Sequence, residues 1–244
     1  MDDRKDLAGM TQEEVRLLLE RLGEPRFRAR QLFAGIHHRR LDSFDLFTDL
    51  PKELRERLKS EAVPGSLRVG QVFESSDGTR RFLLELPDGL EVETVFMPEE
   101  RRETICISSQ IGCPLACDFC VTGVLGLKRN LSSGEIVSQV LTGLNYILGT
   151  GVPSERPVNV VIMGMGEPLL NYDNVLKAVR LLTDQEGLGI PARRITLSTA
   201  GIVPKMYDLG KEPVRPKLAI SLTAATDELR GRLFPINRKY PLEV

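Results

Sequence analysis

From about residue 103 the chain alternates short apolar runs rich in Val and Ile with longer helical patterns, and this rhythm restricts its fold more than any other feature. Strand-like runs fall at Thr104–Ser108, Val158–Met163, Arg194–Ser198 and Lys217–Leu222. Helical patterns lie between or after them, at Ser133–Leu148, Asp173–Thr183, Val203–Leu209 and Thr226–Leu233. Strands alternating with helices imply parallel βαβ units. Right-handed crossovers then bring every strand's C-terminal end to one rim, where the sites of such folds lie. The polar segments fall on that rim. Cys113–Cys120 follows the first run, Gly164-Met-Gly-Glu-Pro168 the second, while Ser198-Thr-Ala-Gly201 and Ser221-Leu-Thr223 end the third and fourth. Such an edge can wrap one small molecule.

Ahead of this region the first sixty residues read as short helices. Thr11-Gln-Glu-Glu14 opens one with a capping residue and early acids, and Val15, Leu18, Leu19 and Leu22 give it an apolar stripe. A second runs from about Phe27 to Ile36, and a third from about Pro51 to Leu58 with proline at its start. Three strand-like runs follow, Leu67–Phe73, Arg81–Leu86 and Glu91–Met97, separated by Ser-Ser-Asp-Gly and Pro-Asp-Gly, which are hairpin signals. The organisation expected is a helical domain over 1–62, an antiparallel β linker or extension over 63–100, and a parallel α/β core over 101–244.

With 244 residues and 41% hydrophobic content the chain can bury a sizeable core. No apolar run approaches the roughly 20 residues that span a bilayer, and the N-terminus, Met-Asp-Asp-Arg-Lys-Asp, leads into no hydrophobic targeting stretch. A cytoplasmic location, no membrane partner and a monomer are expected. The net charge of −1 gives no bulk argument for nucleic acid. Locally, residues 21–40 hold Arg21, Arg26, Arg28, Arg30, Arg39 and Arg40 against Glu24 alone, a formal +5. That patch suits phosphates or, equally, a solvated helix face.

Cys113, Cys117 and Cys120 are spaced C-x₃-C-x₂-C. Three such thiolates can hold three irons of a four-iron cluster and leave the fourth open to a substrate. Other readings stand beside this one. Cys106 lies seven residues before Cys113 and would close the site as a fourth ligand; zinc, or buried inert thiols, would also use these residues. Zinc normally takes a second ligand pair, and none exists here, His37 and His38 being adjacent. Glu167 suits the ammonium of a ligand, or merely a tight turn before Pro168. Glu93 alternates in Val92-Glu-Thr-Val95 and by pattern alone reads as solvated, whereas Cys106 reads as a buried strand thiol.

The stretches Val92-Glu-Thr-Val-Phe-Met-Pro98, Cys106-Ile-Ser-Ser-Gln-Ile-Gly-Cys113, Cys117-Asp-Phe-Cys120 and Arg129-Asn-Leu131 resemble the RlmN-type adenine-C2 RNA methyltransferases of the radical S-adenosylmethionine (SAM) superfamily. The likeness continues through Met163–Asn171, Leu197–Pro204 and Phe234–Tyr240, and reaches back to Arg30-Gln-Leu-Phe33 and Leu46–Leu58. It implies a partial (βα)6-type radical SAM barrel behind the helical domain and the antiparallel strands. Cys113, Cys117 and Cys120 would bind a [4Fe-4S] cluster. Gly166, Glu167, Ser198 and Ser221-Leu222-Thr223 would contact SAM, with Thr223 where many relatives carry His. The resemblance also assigns Glu93 as proton acceptor and Cys106 as the thiol that frees an enzyme–RNA adduct by forming a disulfide. One SAM methylates a cysteine near the C-terminus in that family, and a radical from a second SAM activates the methyl group for addition to adenine C2. The implied partners are 23S rRNA, tRNA and a flavodoxin-type electron donor. The alternatives are a C8-methylating relative or a non-catalytic iron–sulfur or zinc RNA-binding module. No cysteine follows Cys120, so residues 1–244 are expected to be a fragment unable to complete methyl transfer alone.

Overall fold

The computed structural model describes residues 4–244. Three helices come first: α1 (Gln12–Arg21), α2 (Phe27–His37) and α3 (Lys52–Glu61). The start of α1 is fixed by a capping box, in which Thr11 Oγ1 accepts from the Glu14 amide and the Glu14 carboxylate accepts from the Thr11 amide at 2.7 Å. No helix among the described residues is long and apolar enough to cross a membrane.

Seven strands follow, β1 (Arg68–Glu74), β2 (Arg80–Glu85), β3 (Glu91–Pro98), β4 (Glu103–Ile107), β5 (Val158–Ile162), β6 (Ile195–Thr199) and β7 (Lys217–Ile220). Between and after them lie α4 (Ser133–Leu148), α5 (Tyr172–Thr183), α6 (Val203–Lys211) and α7 (Asp227–Leu233). The strands stand side by side in chain order in one sheet. β1 to β4 are mutually antiparallel, and β4 to β7 are parallel. The antiparallel strands therefore continue the same sheet that carries the parallel ones. Element ends differ from the sequence reading by a few residues. β4 stops at Ile107 because the Ser108 amide leaves the ladder to donate to Gln139 Oε1 at 2.8 Å.

The sheet has two unlike faces. Ile105, Ile107, Val160, Ile162, Ile195 and Leu197 are all buried on the side packed by α4 and α5, against Ile136, Val140 and Val179 among others. The residues between them, Cys106, Val161, Thr196 and Ser198, are only partly buried. This second face lines a trough, and one rung of it runs Val95, Cys106, Val161, Thr196, Lys217 across β3 to β7.

The helical part is docked on α4 and α5. Backbones meet where a Cβ on Gly9 would lie 2.6 Å from the Gly134 amide. Lys177 pairs with Glu14 at 2.7 Å, Arg30 with Glu186 at 2.6 Å, and Asn145 donates to the Arg40 carbonyl at 2.7 Å. The arginines of residues 21–40 are thus largely compensated: Arg26 also pairs with Glu20 and Arg39 with Asp49. Arg40 is 4% exposed, its guanidinium held by Asn145 and the Gly149 and Val152 carbonyls.

Candidate active site at the rim of the parallel strands

Ser108, at the end of β4, organises the rim. It is fully buried, with its amide and carbonyl bound by the Gln139 side chain at 2.8 and 2.9 Å. Its hydroxyl donates to the Glu93 carbonyl at 2.7 Å and accepts from the Met165 amide at 2.9 Å. Three segments remote in sequence are so tied to one residue. The glycines of the next loop make this possible. A Cβ on Gly164 would sit 2.5 Å from Ser108 Oγ, and one on Gly166 (φ +99°) 2.6 Å from Gln110 Cβ. Gln110 Oε1 in turn accepts from the Glu167 amide at 2.8 Å, and Asn171 Nδ2 donates to the carbonyls of Ser109 and Leu131.

The cysteine loop springs from this knot. Gly112 (φ +76°) enters it so close to the chain's return that a Cβ would overlap the Gly126 carbonyl oxygen. The far side is pinned by the Asp118 amide donating to the Leu233 carbonyl at 3.0 Å, and by Phe119 stacked on Phe234 with centroids 5.4 Å apart. Phe119 nevertheless stays more than half exposed. All four cysteines are free thiols. Burial pushes the Cys113 thiol up, and burial together with the Cys113 and Cys120 thiols pushes Cys117 up to about 11. Among the described residues no three His, Cys, Asp or Glu side chains are preassembled for a metal ion. The mutual influence of the thiols still puts them in one neighbourhood, and Glu167 acts on both Cys113 and Cys117.

Glu167 is 3% exposed and burial raises its pKa. Its Oε1 accepts from the Leu169 amide at 3.0 Å and Thr199 Oγ1 at 2.8 Å, while Oε2 accepts from the Ala200 amide at 2.8 Å. One acceptor position on Oε2 remains. Ser198 and Ser221 share a hydrogen bond of 3.1 Å, joining the ends of β6 and β7. Leu222 and Thr223 are exposed beside them, and Thr223 has φ +65°, costly for a β-branched residue. Arg230, 4% exposed, clamps these ends by donating to the carbonyls of Ala200 at 2.8 Å and Leu222 at 3.1 Å.

Glu93 and Cys106 share the trough face. Val95 is opposite Cys106, so Glu93 lies on the diagonal toward the rim, where Cβ atoms are about 7–8 Å apart or less. Glu93 pairs with Arg81 at 2.7 Å, both half exposed. The Cys106 thiol is pushed up by burial.

Sequence reading gave no role to Ser108, Gln110, Asn171 and Thr199, although they lie within the motifs it singled out, and it missed Gln139 and Arg230 altogether. Gln139 left a signal, a polar residue on the apolar stripe of α4 between Ile136 and Val140. Arg230 left none, since an arginine in a short charged helix looks solvated.

Residues 5–63 match the family model of the ribosomal RNA large subunit methyltransferase N-terminal domain, and residues 107–244 that of the radical SAM superfamily. The dual-specificity RNA methyltransferase RlmN of Geobacter sulfurreducens is 48% identical over 100% of this chain and 65% of its own length. The probable dual-specificity RNA methyltransferase RlmN of Moorella thermoacetica is 47% identical, over 100% of this chain and 70% of the relative. The chain belongs to the RlmN family of the radical SAM superfamily. Its fold agrees. A radical SAM methyltransferase from Sphaerobacter thermophilus superposes with a TM-score of 0.93 at 40% identity, covering 98% of this chain and 70% of that one. The chain spans just under two thirds of some RlmN relatives, 65% for Geobacter and 63% for Syntrophotalea carbinolica.

Proposed function

We propose that this chain carries the radical-generating core and the RNA-facing helical part of an RNA methyltransferase acting on adenosine C2 in 23S rRNA and tRNA. The observation that supports the reading most is the convergence on one rim of the Cys113–Cys120 loop, buried Glu167 and the Ser198–Ser221 pair. The resemblance to RlmN proteins along the whole chain supports it too.

The donor set fits a [4Fe-4S] cluster, because Cys113, Cys117 and Cys120 are free thiols on one loop, and burial together with the neighbouring thiols opposes the charging of Cys113 and Cys117. Cationic irons reverse that opposition and favour the thiolates. When bound, such a cluster supplies the electron that splits SAM reductively. The free acceptor position on Glu167 Oε2 suits the SAM ammonium, and Gly166, Ser198 and Ser221-Leu222-Thr223 line the same rim. Glu93, on the trough face toward the rim, would take the C2 proton, and the Cys106 thiolate beside it would attack the sulfur of the family's methyl-carrying cysteine. The sulfur–sulfur bond forms as the bond from that sulfur to the transferred carbon breaks, and the carbon takes up a proton to become the methyl group of the RNA. An external one-electron donor completes the set.

The test is anaerobic reconstitution with iron and sulfide, followed by paramagnetic resonance of the reduced protein with and without SAM. A SAM-dependent spectral change, with release of 5′-deoxyadenosine that disappears in Cys117→Ala, is expected. An unchanged spectrum, or zinc in place of iron, overturns the assignment.

A further inference from the structure

The fold compensates most of the cations the sequence concentrates and leaves others, far apart along the chain, without an ion pair. Residues 21–40 carry the densest run of arginines, yet Arg26, Arg30 and Arg39 are ion-paired and Arg40 is buried. At the opposite end of the parallel strands from the cysteine loop, three separate segments bring Arg101, Arg102, Arg193, Arg194 and Lys217 around a cavity of about 580 Å3. Its floor is the start of the trough, Thr104, Asn159 and Thr196. Glu99 is the single acid in the lining, and it is already engaged by Arg102 at 2.7 Å and by Thr104 Oγ1 at 2.9 Å. Among the described residues Arg101, Arg193, Arg194 and Lys217 have no ion-pair partner.

Arg194 and Pro157 also line a neighbouring cavity of about 420 Å3, which adds Arg39, Arg40 and Arg156 and contains no acid. Of the eight cationic side chains that line the two cavities, Arg102 and Arg39 are paired with Glu99 and Asp49 and Arg40 is buried. That leaves Arg101, Arg156, Arg193, Arg194 and Lys217 without an ion pair among the described residues, in a protein whose net charge is −1. The two cavities form a path from the base of the sheet to the end of α2 in the helical part. Holding that many like charges together costs stability through self-repulsion, and a ligand with repeated negative charges relieves it.

We infer that this base surface is a binding track for the phosphodiester backbone of RNA, separate from the rim. The charge is spread along two joined cavities, which suits successive phosphates better than one compact anion. β4 to β6 are five residues long, so the track lies about 17 Å from the rim at roughly 3.3 Å per residue. It therefore holds a part of the RNA remote from the nucleotide presented at the cysteine loop. The inference rests on the RNA-modifying function proposed above.

The experiment measures binding of a fluorescent stem–loop RNA to the full chain across a salt series. Three proteins are compared: the unsubstituted chain, Arg101→Gln/Arg193→Gln/Lys217→Gln, and Arg26→Gln/Arg28→Gln/Arg30→Gln. All three positions of the base variant are exposed, and its urea midpoint verifies that it folds. The log–log salt slope is expected to fall by about 2–3 in the base variant, at about 0.7–0.9 for each phosphate no longer neutralised, and by less than about 1 in the α2 variant. Millimolar inorganic diphosphate is expected to leave the difference between the proteins in place. An unchanged slope in the base variant overturns the inference and leaves the RNA-modifying function standing. So does a difference abolished by diphosphate, which marks a site for one small anion. If the unsubstituted chain binds no RNA at all, both readings fall.

Discussion

Replacing Gln139 by leucine tests whether a single amide in α4 holds the rim together. Gln139 is fully buried and bonds the Ser108 amide, the Ser108 carbonyl and Thr94 Oγ1, the last at 2.9 Å. Leucine fills nearly the same volume but leaves three buried polar groups without partners. Each costs about 1–3 kcal/mol, and the better burial of an apolar side chain returns part of the sum. A net loss of about 4 kcal/mol is a large share of the about 5–15 kcal/mol that keeps a domain folded. With a urea slope of about 2–3 kcal/mol/M, the midpoint falls by about 1.3–2 M. Gln139→Glu supplies the control. The introduced carboxyl can donate to the Ser108 carbonyl only while protonated, so this variant should approach the unsubstituted protein near pH 5 and fall behind it at pH 8. Urea unfolding followed by circular dichroism at both pH values reads the effect. A leucine variant within about 0.3 M of the unsubstituted midpoint, or a glutamate variant without that pH trend, would refute the reasoning.

Two buried groups titrate in opposite senses. His37 has both ring nitrogens unpartnered and burial holds it down to about 4, so its contribution to stability is present above about pH 6.5 and is lost as pH falls toward 4. Asp6 is raised by burial to about 6, so its contribution is present below about pH 3.8 and is lost as pH rises through 6. Each amounts to about 3 kcal/mol at about 1.36 kcal/mol per pKa unit. Relative to the unsubstituted protein, His37→Leu should therefore gain stability from pH 7 to 4.5 and Asp6→Asn should lose it over the same range; urea midpoints that move in parallel would contradict this. Gly112→Ala places a Cβ against the Gly126 carbonyl at a left-handed backbone position, so iron content after reconstitution should collapse while the circular dichroism spectrum is kept. Full iron loading would show that the start of the loop is not that tight. Glu167→Gln turns one acceptor toward the donors Leu169 N, Thr199 Oγ1 and Ala200 N into a donor, for a loss of about 1–3 kcal/mol in urea unfolding. An unaltered midpoint would indicate that the carboxylate is not held by those three groups.

The amino-acid sequence determined the element plan. Period-two and helical apolar patterns placed all seven sheet strands and the major helices within a few residues, because local hydrophobic periodicity survives whatever packs against it. It also put Cys113, Cys117, Cys120, Glu167, Ser198 and Ser221 on one rim, since parallel crossovers leave strand ends no other side. Tertiary structure decided what those elements do to one another. The antiparallel strands joined the parallel sheet through the β3–β4 register, which set Glu93 diagonal to Cys106, a pairing that no local pattern encodes. Gln139, Asn171 and Arg230 became the supports of the rim only because backbone groups from distant segments needed partners once buried. Charge behaved likewise. The arginine run in 21–40 met acids and carbonyls on folding, whereas Arg101, Arg193 and Lys217, unremarkable along the chain, were gathered at the base of the sheet. Compensation of a charge depends on which chains come within a few ångströms of it, and sequence spacing does not specify that distance.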